Sequence, residues 1–185
     1  MASPSRRRRA PAMAVAVAVA AALVAAVAVR LSQDPAPQGD FVGDPPPCSL
    51  VSPATAERLT GRAEGMQVKS SCNWAGPGSG GDPQPVLQVQ LIRLDEREAR
   101  LTMQRTKEEP QGKMGPMVSD LSDFGDEAFS RVRYPSSSRM THEVYIRKSN
   151  LVVVVRYAPL DIENASQGAY DVATEASAAL GKGLK

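Results

Sequence analysis

His142 and Glu143 stand side by side near the start of a β-branched stretch, and imidazole with carboxylate is a pairing used in general acid–base catalysis. That chemistry requires both groups and a nucleophile within hydrogen-bond reach. Neighbouring residues on a strand point to opposite faces, so Glu143 cannot orient His142 directly. The histidine is expected to be a solvent-exposed strand residue. Asp120, Asp123, Asp126 and Glu127 offer the oxygen donors calcium prefers, but their spacing does not match the twelve-residue calcium loop. They read as a solvated turn ahead of a strand.

Other fragments carry less. Asp123-Phe124-Gly125 matches a kinase triplet without the phosphate loop, paired lysine or catalytic loop that give it meaning. The run Gly76-Pro77-Gly78-Ser79-Gly80-Gly81 lacks the Lys and Ser/Thr of a phosphate-cradling loop and reads as a mobile connection. Trp74 fits a core position beside a cysteine better than a ligand platform. Asn164-Ala165-Ser166 has the form of a glycosylation acceptor, yet asparagine there suits a helix cap. These residues supply no catalytic, metal or cofactor set.

Cys48 and Cys72 take their meaning from the first thirty residues. Arg6, Arg7, Arg8 and Arg9 precede an uninterrupted apolar run from Ala12 to Val29. A four-arginine block is costly to move across a bilayer, so it stays inside while the chain beyond Val29 is delivered outside. The run is 18 residues long, within the length of a spanning helix and beyond that of most cleaved leaders. Ala26-Val27-Ala28 also fits a cleavage site. A single-pass plasma-membrane anchor with the C-terminal domain outside is the expectation, with secretion after cleavage as its alternative. In an oxidising compartment, two cysteines 24 residues apart pair as a disulfide.

The formal charge of +2 includes those four arginines; subtracting them leaves −2 for the rest. A near-neutral domain is a poor nucleic-acid binder, which needs a basic patch. The partners expected are therefore the membrane, through the apolar segment, and an envelope protein or small ligand.

Patterning defines the scaffold that holds these residues. Residues 1–30 form the basic head and anchor, 31–47 a proline-rich tether, and 48–185 the folded domain. The tether holds five prolines and one adjacent apolar pair, Phe41-Val42, too little to offset its ordering entropy. Ser52-Pro53 opens a short helix closed by Gly61. Cys72–Trp74 and the alternating Leu87, Val89 and Leu91 read as strands. Asp95–Lys107 is helical in composition, and Pro116–Leu121 is a short helical or irregular piece. Ala128–Tyr134, Thr141–Arg147 and Leu151–Tyr157 are strands, the last two joined as a hairpin through Ser149-Asn150. A final helix buries Ala169, Val172, Ala173, Ala176 and Leu180 and turns Asp171, Thr174, Glu175 and Ser177 away. The expected class is α+β: an antiparallel sheet with helices packed on one face, in a single domain stapled by one disulfide.

Pro47-Cys48-Ser49-Leu50-Val51-Ser52, Leu59-Thr60-Gly61, Cys72-Asn73-Trp74, Gly125-Asp126-Glu127-Ala128-Phe129 and Arg147–Val153, with the closing Ala-rich helix, occur here in sequence. In that order they resemble a family of actinobacterial exported proteins of unknown function. Its members are lipoproteins or outer domains of membrane proteins, with the two cysteines bridged, and have no established catalytic residues. This chain departs from it in having no lipid-attachment cysteine after the apolar run. The resemblance implies location and fold. The function expected is a non-enzymatic, membrane-tethered binding module of the cell envelope. The alternatives are an envelope hydrolase using the acidic cluster or His142, and a purely structural envelope component.

Overall fold

β-Branched and aliphatic residues at alternate positions build most of the structure. A computed structural model describes residues 39–76, 85–110, 117–133, 140–160 and 164–181. The head and anchor expected over residues 1–30, and the glycine run beyond Gly76, lie outside them. Among the described residues no helix is long and apolar enough to cross a membrane.

Seven strands form one antiparallel sheet: β1 Met66–Val68, β2 Ser71–Ala75, β3 Val86–Arg93, β4 Met117–Leu121, β5 Glu127–Arg133, β6 Thr141–Lys148 and β7 Leu151–Ala158. Their order is β1-β2-β3-β7-β6-β5-β4. Two meanders, β1 to β3 and β4 to β7, thus meet where β3 pairs with β7. Leu87, Val89 and Leu91 lie opposite Tyr157, Val155 and Val153 in that pairing.

Three helices join a 3-10 turn at Pro47–Leu50: α1 Pro53–Thr60, α2 Glu96–Glu108 and α3 Ala165–Gly181. Ser52 caps α1 by accepting from the Thr55 N–H at 3.2 Å, and Gly61 ends it in the left-handed region at φ 72°. Asp95 caps α2 through the Glu98 N–H at 2.7 Å. The small residues of α3 let it lie close on the sheet; a Cβ on Gly168 would stand 2.6 Å from a Tyr157 ring carbon. The first core joins Val172, Ala173 and Ala176 of α3 to Val144, Ile146, Val153 and Val155, with Leu50, Ala56 and Trp74.

The fold class is α+β in a single disulfide-stapled domain, with Cys48 and Cys72 bridged at a Cα separation of 5.0 Å. The placement of the helices is corrected: they lie on both faces. Ala99 and Met103 of α2 seal Phe129, Tyr145, Val152 and Val154, a second core on the face opposite α3. Burial on both sides is why β7 reads as a continuous apolar run.

Three further expectations give way. The tether ends well before Pro47. Phe41 is buried, its N–H donates to Asn150 Oδ1 at 2.9 Å, and its carbonyl accepts from Asn150 Nδ2 at 2.9 Å. One aromatic side chain with a backbone pairing partner orders a segment whose composition alone argues for a tether. Met117–Leu121 is an edge strand, paired to β5. Asp171 and Glu175 turn toward α1 rather than solvent: Arg58 pairs with Asp171 at 2.7 Å, and Glu175 accepts from Ser52 N at 2.7 Å and Thr55 Oγ1 at 2.6 Å.

Candidate functional site

Polar residues interrupt the apolar strands at one register position. Asn73, Gln88, Arg156, Glu143 and Arg131 stand side by side on β2, β3, β7, β6 and β5. Cross-strand neighbours on one face are close enough for their side chains to bond. Gln88 Nε2 donates to Asn73 Oδ1 at 2.8 Å, and Arg156 Nη1 donates to Gln88 Oε1 at 2.8 Å. Arg156 Nε and Arg131 Nε then reach the two oxygens of Glu143 at 3.1 and 2.6 Å. A hydrogen-bonded row therefore crosses five strands on the face that carries α2.

Its two ends differ. The Glu143 side chain is 2% exposed and that of Arg131 3%. Here the carboxyl end of α2 closes over the sheet: Arg131 Nη1 donates to the Thr106 carbonyl at 3.0 Å and to Glu109 Oε2 at 3.1 Å. A cation at a helix carboxyl terminus is favourably placed against the helix dipole. Arg131 Nη2 donates to the Tyr145 hydroxyl at 2.7 Å, its guanidinium lies 4.9 Å from that ring's centre, and the hydroxyl donates to Glu143 Oε2 at 2.9 Å. Tyr145 stacks on Phe129 at 4.8 Å, which holds the ring in place. At the other end Asn73, Gln88 and Gln90 are half-buried and the Arg156 side chain is 30% exposed.

Burial raises the Glu143 pKa, but Arg131, Tyr145 and Arg156 outweigh it and hold the carboxyl below its ordinary range. Burial pulls the Arg131 guanidinium down, and Glu143 more than restores it. The Tyr145 phenol is pushed up, by burial first and then by the Glu143 charge. Near neutral pH Glu143 is ionised with both oxygens engaged, and Tyr145 keeps its proton. The arrangement suits fixing cationic donors in place rather than moving a proton.

The residues singled out in the sequence are set apart. His142 lies on the opposite face, half-buried across from Tyr157, with a ring nitrogen 2.9 Å from Met140 Sδ. Burial lowers its pKa. The sheet thus separates His142 from Glu143, as alternation requires. The acidic cluster disperses: Asp126 and Glu127 meet cations at the far end of β6, Asp120 meets α2, and Asp123 accepts from the Ser122 hydroxyl at 3.2 Å. Asp126 accepts from Ser149 N at 2.6 Å and Lys148 Nζ at 2.9 Å, Glu127 from Arg147 Nε at 3.2 Å, and Asp120 from Lys107. Five residues of strand, about 17 Å, separate Arg147 from His142. Trp74 is core, 2% exposed, and its indole N–H has no acceptor among the described residues. It lines a cleft of about 460 Å³ beside the disulfide, where Gly65 lies against the indole nitrogen.

Sequence reasoning missed Arg131, Arg156 and Tyr145 as a unit with Glu143. The available signal was a polar residue at an alternate position of each successive apolar strand.

No protein-family profile, curated protein or solved structure matches this chain.

Proposed function

We propose that the chain is a membrane-tethered, extracytoplasmic binding module of the bacterial cell envelope, and that the open end of the polar row is its recognition surface. The observation that carries this reading is the gradient along the row: a buried Arg131–Glu143 pair anchors a half-exposed Arg156 among amide side chains. Rigid placement of a few polar groups lowers the ordering cost of binding. The basic head, the 18-residue apolar run and the disulfide support a location outside the membrane. So does the likeness of the Cys48 and Cys72 segments to actinobacterial exported proteins.

The test is photo-crosslinking on intact bacterial cells carrying the full chain, with a benzophenone residue at Ser71, beside Gln90 in the sheet. A discrete adduct at Ser71 that disappears in an Arg156→Gln background supports the reading. An adduct indifferent to Arg156→Gln, or no adduct, contradicts it.

A further inference from the structure

Counting donors and acceptors at the open end of the row gives a one-sided result. Every side-chain acceptor there is engaged: Asn73 Oδ1 by Gln88, Gln88 Oε1 and Gln90 Oε1 by Arg156 Nη1 at 2.8 Å each, and Glu143 by Arg131, Tyr145 and Arg156. The donors are not. A guanidinium carries five N–H bonds. Arg156 directs Nε to Glu143 and both Nη1 bonds to the two glutamines, which leaves Nη2 without a partner among the described residues. Gln90 Nε2 and Asn73 Nδ2 likewise donate to nothing among them. Charge runs the same way: Arg131, Arg133 and Arg156 surround two carboxylates, Glu143 and Glu109.

We infer that Arg156 and Gln90 bind the carboxylate of a small organic acid on the open face of the sheet. This rests on the binding-module reading and names its ligand class. A carboxylate brings only acceptors and a negative charge, the complement of what the surface lacks, and charged hydrogen bonds to guanidinium are the stronger kind. An extended peptide laid on the same face would bring N–H donors to a surface whose amide oxygens each already accept one hydrogen bond, a poorer match than a group made only of acceptors. Glu143 does not touch the ligand. It is a positioning residue that keeps the Arg156 guanidinium flat against the row.

The experiment is an NMR titration of the ¹⁵N-glutamine-labelled full chain in a neutral detergent, following the side-chain amides of Gln88 and Gln90. Sodium acetate should shift both saturably, and sodium chloride at equal ionic strength should not. Arg156→Gln should weaken the apparent acetate affinity by about tenfold or more. Gln90→Leu, which leaves the Arg156–Glu143 bond intact, should weaken it several-fold, followed at Gln88. Arg97→Gln, which removes a charge from the exposed side of α2, should leave it unchanged. No saturable shift, equal shifts with chloride, or full affinity in Arg156→Gln overturns the proposal. Acetyl-dialanine binding tenfold tighter than acetate overturns the small acid in favour of a peptide carboxylate. Absent acetate binding alongside an Arg156-dependent Ser71 adduct rejects the ligand class alone. No Ser71 adduct in the unsubstituted chain, or one that persists in Arg156→Gln, rejects the module itself.

Discussion

Arg156 Nε donates to Glu143 Oε1 at 3.1 Å, and through this bond a carboxylate that is 2% exposed holds a guanidinium that is 30% exposed. The same carboxylate accepts from Arg131 Nε at 2.6 Å, so one buried anion orients two cations. Removing it leaves the buried Arg131 with only Glu109, a largely solvated carboxylate, opposite its charge. Glu143→Gln should therefore lower stability by about 3–5 kcal/mol, the usual consequence of breaking a buried pair from one side. Replacing both partners, Glu143→Leu with Arg131→Met, should recover most of that loss. Urea unfolding of the two variants beside the unsubstituted protein checks both statements; a double variant as unstable as the single would contradict them.

Asn150 ties the entry segment to the β6–β7 turn. Its side-chain amide pairs with Phe41 in both directions at 2.9 Å, and Ser149 Oγ accepts from the Asp40 N–H at 2.9 Å. Asn150→Ala removes two buried hydrogen bonds and should cost about 2 kcal/mol. Hydrogen exchange at the Phe41 amide should accelerate strongly, while amides in β3 and β7 keep their relative protection. Unchanged exchange at Phe41 would show that burial of the ring alone holds the segment.

Acid should destabilise the domain in two stages. His142 has a pKa lowered by burial, so below about pH 6.5 the unfolded chain takes up a proton that the folded one refuses. Glu143 is also held low: burial opposes this, and Arg131, Tyr145 and Arg156 prevail. Asp126 and Glu175 are low against the same burial, Asp126 chiefly through the Ser149 N–H and Lys148, Glu175 through the Ser52 N–H and Thr55. Depressed carboxyl values contribute stability that is present above the unfolded carboxylate range. It is lost as pH falls from about 4.5 through the folded values. Both effects have the same sign, with the unfolded state binding more protons. Thermal midpoints between pH 7 and 3 should fall in a shallow and then a steep limb, and His142→Gln should abolish the shallow one.

The disulfide closes a loop of 24 residues' separation that holds the 3-10 turn and α1 against β2. Its reduction should lower stability by about 3 kcal/mol through the freedom regained by the unfolded chain. Guanidinium unfolding with and without reductant measures the difference, and Cys48→Ala/Cys72→Ala should match the reduced protein. A difference near zero would mean that the packing of Leu50 and Trp74 already restricts that loop.

The strands legible in the sequence were those with clean alternation or long β-branched runs, β3, β6 and β7. The caps of α1 were legible in Ser52, Pro53 and Gly61. β1 was not, because three exposed residues carry no burial pattern. β4 was obscured by its polar Ser119 and Asp120 at the sheet edge. The amphipathic pattern of α2 predicts a buried stripe but not which face of the sheet receives it; that depends on the order of β3 and β4 in the sheet and the hand of the crossover between them. The entry segment departs from what its composition predicts because a single buried phenylalanine, paired with Asn150, outweighs five prolines. The polar row was legible only as isolated oddities. In the sequence Glu143 is simply the neighbour of His142, whereas its partners Arg131, Tyr145 and Arg156 are assembled by strand pairing.

Every role assigned to the open face presupposes a domain folded outside the membrane. Fusing alkaline phosphatase to the C-terminus of the full chain, in a bacterial host, tests this directly, because that enzyme is active only where its own disulfides form. The prediction is an active fusion in which Cys48 and Cys72 resist alkylation until reductant is added. An inactive fusion, with both thiols alkylated in freshly isolated material, would contradict it.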